Sequence, residues 1–291
     1  MNSSKSGVVS AILCWLMILA SPSLWAAMVE AKLPNGTMVA AEFRGGKASM
    51  PTVLLIHGFM QTRNFQTLSR LTDGLSGAGF STLAPTLSLG ISQRARSLPC
   101  EAIHHHTLEQ DVAEIDFWMQ WLARHKPGPV VIVGHSFGSF LALVYAADKP
   151  SPKLQQLIAL SLVDAERQTD PLINTAMLNE AKQRIAKGDT QLMSGTFNHC
   201  KKFVSTPQSF YSYARWNRQD ILRLLRQSKV PMEVIMGGND DRMGGDWPDM
   251  LRAYGNRVQV IAGANHFFDA EYEFDVLDAT IALSKTAGKK R

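Results

Sequence analysis

The aliphatic run Val130-Val131-Ile132-Val133 passes without a polar interruption into Gly134-His135-Ser136-Phe137-Gly138, and then into an apolar stretch that reaches about Ala147. A short unbroken apolar run, unlike an alternating one, is what a strand buried on both faces requires. Such a strand sits inside a parallel sheet, and a parallel sheet needs helices over both of its faces. The pattern recurs. Thr52-Val53-Leu54-Leu55-Ile56, Phe80 to Pro85, Leu157 to Val163, Met232 to Met236 and Arg257 to Ile261 read as further strands. Helical stretches separate them. One runs from Asn64 to about Ala78, with Phe65, Leu68, Leu71 and Leu75 at helical spacing. Another opens on a capping box at Thr107 and Gln110, presents Val112, Ile115, Trp118 or Met119, and Leu122 on one face, and stops at Lys126-Pro127-Gly128-Pro129. Strands alternating with helices predict an α/β fold: a mostly parallel central sheet flanked by helices. A hairpin over 28–44 precedes it, turning at Pro34-Asn35-Gly36. The segment 165–229, with Tyr211, Tyr213 and Trp216, has helical character and no obvious buried strand, and is predicted to form a helical cap insertion over the strand ends.

Of the 291 residues 45% are hydrophobic and 19% charged, a balance that suits one globular α/β domain and excludes a disordered chain. Lys5, the apolar run from Val8 to Ala20, the break at Ser21-Pro22-Ser23 and the small residues Ala26 and Ala27 together read as a signal peptide over 1–26, leaving 27–291 as the domain. Export to the periplasm or the medium follows, with no stable membrane span after cleavage. Loss of Lys5 lowers the formal net charge from +5 to +4. That excess is modest and no Lys/Arg run accompanies it, so no nucleic-acid partner is expected; Arg94, Arg96, Lys201 and Lys202 read as solvated surface. Cys14 leaves with the signal peptide. Cys100 and Cys200 remain, a pair suited to one disulfide between the loop after Pro85 and the cap.

A serine hydroxyl attacks a carbonyl only when a neighbouring base takes its proton and a third group orients that base. It must also project into a cleft where backbone N–H groups meet the developing oxyanion. Gly134-His135-Ser136-Phe137-Gly138, between a strand and a helix, supplies the sharp turn that meets both demands. Asp240 and Asp241 follow a later strand through Gly237-Gly238-Asn239, and His266 follows the last strand through Gly263-Ala264-Asn265. From His57 to His266 the chain resembles the α/β-hydrolase superfamily, including its order of Ser, Asp and His. The resemblance implies Ser136 as nucleophile, His266 as base, Asp240 as acid with Asp241 the alternative, and the backbone N–H groups of Phe59 and Phe137 as oxyanion donors. It also implies a structural part for His57. The Thr86-Leu87-Ser88-Leu89-Gly90-Ile91-Ser92 stretch departs from the glycine-rich turn that many relatives carry there. His104-His105-His106 reads as a solvated or cleft-lining loop, not a metal site, because successive side chains diverge.

The implied activity is hydrolysis of a small-molecule carboxylic ester or acyl substrate through an acyl-enzyme, with no metal and no cofactor. Amides, peptides and thioesters would use the same residues, and an exported binding protein on a hydrolase scaffold is the alternative without turnover.

Overall fold

The structure, a computed structural model, describes residues 26–148, 150–167 and 171–287. Nearly all of the signal-peptide segment lies outside these residues. The chain is α/β, as the strand and helix pattern predicts. Eight strands form one sheet, in the order β1 (Ala26–Lys32), β2 (Met38–Arg44), β4 (Ser81–Thr86), β3 (Thr52–Ile56), β5 (Val130–His135), β6 (Leu154–Leu160), β9 (Met232–Gly237) and β10 (Arg257–Ile261). The pairings β1–β2 and β2–β4 are antiparallel and the rest are parallel. Every residue of β3, β4 and β5 is buried, which is why β3 and β5 carry apolar runs, while β4 buries Ser81, Thr82 and Thr86 as well.

Helices α1 (Gln66–Gly77) and α8 (Tyr272–Thr286) cover one face, packing Leu68, Leu71, Leu75 and Val276 onto Val53, Leu55, Val131 and Val133. Helices α2 (Leu108–His125) and α3 (Phe137–Ala147) cover the other with Ile115, Trp118, Leu122, Phe140 and Leu143. The Thr107–Gln110 capping box at the start of α2 forms in both directions. Helix α7 (Trp247–Ala253) fills the β9–β10 crossover, and Trp247 Nε1 donates to the carbonyl of Leu162 at 2.9 Å.

The cap between β6 and β9 is not wholly helical. A 3₁₀ turn over Ala165–Arg167 leads to α4 (Pro171–Ala186), then to an antiparallel pair, β7 (Met193–Phe197) and β8 (Cys200–Ser205), then to α5 (Pro207–Ala214) and α6 (Arg218–Gln227). The pair escapes a hydropathy reading because Ser194, Gly195, Thr196, Lys201 and Lys202 dilute it, leaving Met193, Phe197, Cys200 and Phe203 as isolated buried points. Of the solvated and cleft-lining readings of the histidine loop the solvated one fails for two of its three residues, and His106 lines a small cavity with Phe59, Phe137 and Tyr213. His104 and His106 are buried under the cap, and only His105 is exposed. The His104 backbone bridges to Ser205, and its ring stacks on Phe203 with centroids 4.4 Å apart. Arg94 is buried too, whereas Arg96, Lys201 and Lys202 are exposed as expected.

Cys100, on the loop after β4, is bonded to Cys200 at the start of β8, across 100 residues of chain, with Cα atoms 5.3 Å apart. Titration of the denatured, unreduced protein should therefore find no free thiol from either residue. Replacing both by serine should lower unfolding stability by about 2–4 kcal/mol; two free thiols in the untreated protein would refute the bond.

Candidate active site

Three loops meet above the carboxyl ends of the parallel strands. Ser136 leaves β5 with φ 55° and ψ −124°, a left-handed conformation that a non-glycine residue adopts only where its surroundings enforce it. The enforcement is close approach. A Cβ on Gly138 would lie 2.4 Å from the carbonyl oxygens of Ile56 and His57, and one on Gly134 would lie 2.6 Å from the carbonyl oxygen of Gly138. Both positions must be glycine for α3 to start immediately behind Ser136. The Ser136 N–H donates to the carbonyl of Leu160 at 2.8 Å, and Ser139 Oγ donates to the Ser136 carbonyl at 2.5 Å.

His266 bridges Ser136 and Asp240. Its Nε2 lies 2.9 Å from Ser136 Oγ and its Nδ1 lies 2.9 Å from Asp240 Oδ2. Asp240 Oδ1 accepts the N–H groups of Arg242 at 3.1 Å and Met243 at 3.3 Å, which fixes the carboxylate plane. Burial pushes the Asp240 carboxyl up, but its bonds with His266 and the Met243 N–H outweigh that and hold it below its ordinary value. Asp241 faces solvent at the mouth of the cleft, so of the two adjacent acids it is Asp240 that meets the imidazole. The backbone of His266 is held as firmly as its ring. His135 Nε2 and Ser161 Oγ both donate to its carbonyl, at 3.0 and 3.1 Å.

Phe59 and Phe137 lie beside Ser136 with rings 5.3 Å apart, edge to face. Among the backbone hydrogen bonds outside helices and strands, none starts from either N–H. The turn that carries Phe59 is anchored by buried side chains. His57 Nδ1 donates to the Gly58 carbonyl at 2.9 Å, and His57 Nε2 accepts from the Leu87 N–H at 3.0 Å and Arg94 Nη2 at 3.1 Å. Arg94 further donates to the carbonyls of Leu87 at 2.7 Å, Gln61 at 2.7 Å and Arg96 at 2.9 Å. Thus the loop that departs from the relatives' glycine-rich turn is secured by one buried guanidinium. Burial lowers its pKa to about 10, against the opposing pull of Asp111 and Glu114.

The cleft itself, about 210 Å³, is lined by Ser136 and His266 together with Arg167, Asn198, His199, Asp241, Arg242 and Met243. Sequence reasoning found the first two and Asp241 but none of the other wall residues. Asn198 and His199 form the β7–β8 turn, where Asn198 takes φ 53°. Cys100, Cys200 and His199 place ligand atoms within 4.8 Å of one another, but the two sulfurs are already bonded to each other.

Residues 53–279 match the α/β hydrolase family. The chain belongs to that family. It is also similar to the yeast (Saccharomyces cerevisiae) 1-acylglycerol-3-phosphate O-acyltransferase ICT1, with 25% identity over 150 residues, 42% of this chain and 38% of that one. This chain therefore matches well under half the length of that relative. Two solved structures share the fold. The monoacylglycerol lipase of Paleococcus ferrophilus has a TM-score of 0.63 at 17% identity, covering 85% of this chain and 98% of its own. The α/β hydrolase GrgF of a Penicillium species has a TM-score of 0.67 at 14% identity, covering 91% and 99%.

Four buried imidazoles make the fold sensitive to acid. Burial above all, reinforced by neighbouring cations, lowers His57, His106 and His135 to about 3 and His104 to about 4. Each stays neutral in the folded chain where an unfolded histidine, near 6.5, is protonated. Their contribution is fully present above about pH 6.5 and is lost as pH falls toward 4. Asp111 and Glu114, both raised by burial, act in the opposite sense. Near pH 5 unfolding should thus take up at least two protons, four gained less two released, and stability should fall by roughly 3 kcal/mol per pH unit. Urea melts at about pH 7, 6 and 5 measure this; stability that rises on acidification would contradict the assignment.

Proposed function

We propose that this protein is a serine hydrolase that cleaves carboxylic esters through an acyl-enzyme. The observation that carries the reading is the pair of 2.9 Å contacts of His266, one to Ser136 Oγ and one to Asp240. Ser136 Oγ attacks the ester carbonyl while His266 Nε2 takes its proton, and Asp240 stabilises the imidazolium that forms. The Phe59 and Phe137 N–H groups receive the oxyanion. His266 then returns the proton to the departing alcohol, and water repeats the sequence to release the acid and restore Ser136. None of these steps draws on a metal or cofactor. The names of the similar proteins, a monoacylglycerol lipase and an acyltransferase, lend support to acyl chemistry.

The aromatic side chains of Phe59, Phe137, Phe197, Phe203 and Tyr213 pack on one another as a wall behind Ser136, and a narrow apolar space of about 20 Å³ lies between Phe137, Phe140, Phe197 and Tyr213. Short acyl groups fit such a wall better than long ones, so turnover of p-nitrophenyl esters should fall as the acyl chain grows from acetate and butyrate toward palmitate.

A fluorophosphonate should label wild-type protein at Ser136, and Ser136→Ala should abolish both labelling and turnover while circular dichroism is unchanged; activity retained above about a hundredth would sink the assignment. Asp240→Asn should cut kcat by a factor on the order of 10²–10⁴ with little change in KM, whereas Asp241→Asn should have a small effect. The reverse ranking would move the acid to Asp241.

A further inference from the structure

The wall of the cleft facing Ser136 is cationic. Arg167 reaches it from the turn after β6 and Arg242 from the loop after β9, while Asp241 is the single acid among the lining residues. Two positive charges against one negative leave the lining at a formal net charge of +1. Neither arginine has a carboxylate within 4.0 Å among the described residues, although acids are close at hand. On the Arg167 side three of them gather on one guanidinium, which holds their side chains but leaves the group net negative. Arg218 takes Asp164 through two guanidinium nitrogens and also reaches Asp246 at 3.1 Å and Glu166 at 3.5 Å. Asp240 faces His266. The Arg242 guanidinium lies over the Phe267 ring, 4.8 Å from its centroid. Stacking of this kind holds a guanidinium in place while leaving its N–H edge free for an oxyanion.

The position of this charge relative to the reacting groups decides which part of a substrate it meets. Phe267 packs against His266 with ring centroids 5.0 Å apart, so Arg242 belongs to the histidine side of the cleft. The aromatic wall of Phe59 and Phe137 lies on the oxyanion side. His266 must hand its proton to the leaving oxygen, so the leaving alcohol occupies the histidine side. An alcohol is thereby directed toward Arg242, with Arg167 lining the same cleft.

We propose that Arg167 and Arg242 form an anion subsite for the leaving alcohol, so that the preferred substrate is a short acyl ester whose alcohol portion carries a phosphate or a carboxylate. This rests on the ester-hydrolase reading above and adds the substrate class to it. Asp241 sits at the rim and weakens the field, which sets a preference for anions without making the cleft a trap for any one of them.

The test uses two matched pairs of butyrate esters: those of glycerol and of glycerol phosphate, and those of methyl para-hydroxybenzoate and of para-hydroxybenzoate. Released butyrate is followed for the full-length protein at low salt. The charged member of at least one pair should show kcat/KM about tenfold or more above its neutral partner. That ratio should collapse in the double variant Arg167→Gln/Arg242→Gln, fall with added salt, and rise in Asp241→Asn. Which pair shows the preference assigns the anion as phosphate or carboxylate. Binding is read separately from turnover, by broadening of the NMR signals of glycerol phosphate and para-hydroxybenzoate in the presence of wild type and of the double variant. Equal or better use of the neutral members, or a ratio that the double variant leaves intact, overturns the subsite. Broadening lost in the double variant, with no ester turned over, overturns the hydrolase reading and leaves the subsite standing. Turnover of all four esters without charge preference does the opposite.

Discussion

The approach of α3 to β3 behind Ser136 is the constraint on which the rest of the site depends. It places a non-glycine residue at φ 55° and leaves no room for a Cβ at Gly134 or Gly138. The strained turn is held by packing that is wholly buried: β3 on one side of β5, β6 on the other, and Phe137 and Phe140 fixed from above. Strain of this kind costs of order 1–3 kcal/mol and persists only where the surroundings over-determine it. Here they do, and the result is a hydroxyl lifted off the end of a strand, with the backbone of Phe59 and Phe137 beside it. Orientation is thus settled before any substrate arrives, which is the condition under which fixed dipoles stabilise a developing charge most effectively.

The same logic extends to His266. An imidazole that must accept a proton from one side and keep its tautomer from the other cannot tolerate a loose backbone. Two side chains from neighbouring strands, His135 from β5 and Ser161 just past β6, bind the carbonyl of His266. Burial keeps the His135 ring neutral, lowering its pKa to about 3, while its Nε2 donates to the His266 carbonyl. His57 is under a stricter demand, since its Nε2 must accept from Leu87 and Arg94 and can do so only in the neutral ring. Acid sensitivity is therefore a direct consequence of using imidazoles as structural hydrogen-bonding groups next to the candidate catalytic one.

The strands and the order Ser, Asp, His were legible because the central parallel strands, β5 before Ser136 above all, write themselves as apolar runs, whereas β10 before His266 is a mostly exposed edge strand that alternates instead. The choice between Asp240 and Asp241 was not. Both lie in one short loop, and which carboxylate turns inward depends on the turn geometry that brings the amides of Arg242 and Met243 to Asp240. Arg94 was misread as surface because an arginine in a loop carries no periodic signal, and its partners are mostly backbone carbonyls that any sequence supplies. The β7–β8 pair was missed for want of apolar alternation. His199 and Asn198 went with it, since nothing local marks a two-residue turn as the lip of a cleft 60 or more residues away in sequence from both Ser136 and His266.

That distance explains the arrangement of the cap. Its walls come from segments far apart along the chain, so their relative placement needs ties that the sheet does not provide. Three are present. The Cys100–Cys200 bond fastens the start of β8, and with it the Asn198–His199 turn, to the loop after β4. The His104 backbone joins that same loop to β8 from the other end. Arg218 on α6 clasps the fully buried Asp164 at the end of β6, and breaking such a pair from one side typically costs 3–5 kcal/mol because a charge is left buried alone. The last tie also sets the surroundings of Arg167. Arg218 holds the side chains of Asp164, Glu166 and Asp246, so none of them closes a salt bridge onto Arg167, although one guanidinium against three carboxylates leaves that cluster net negative. The contact that secures the cap thereby fixes the direction in which its acids face.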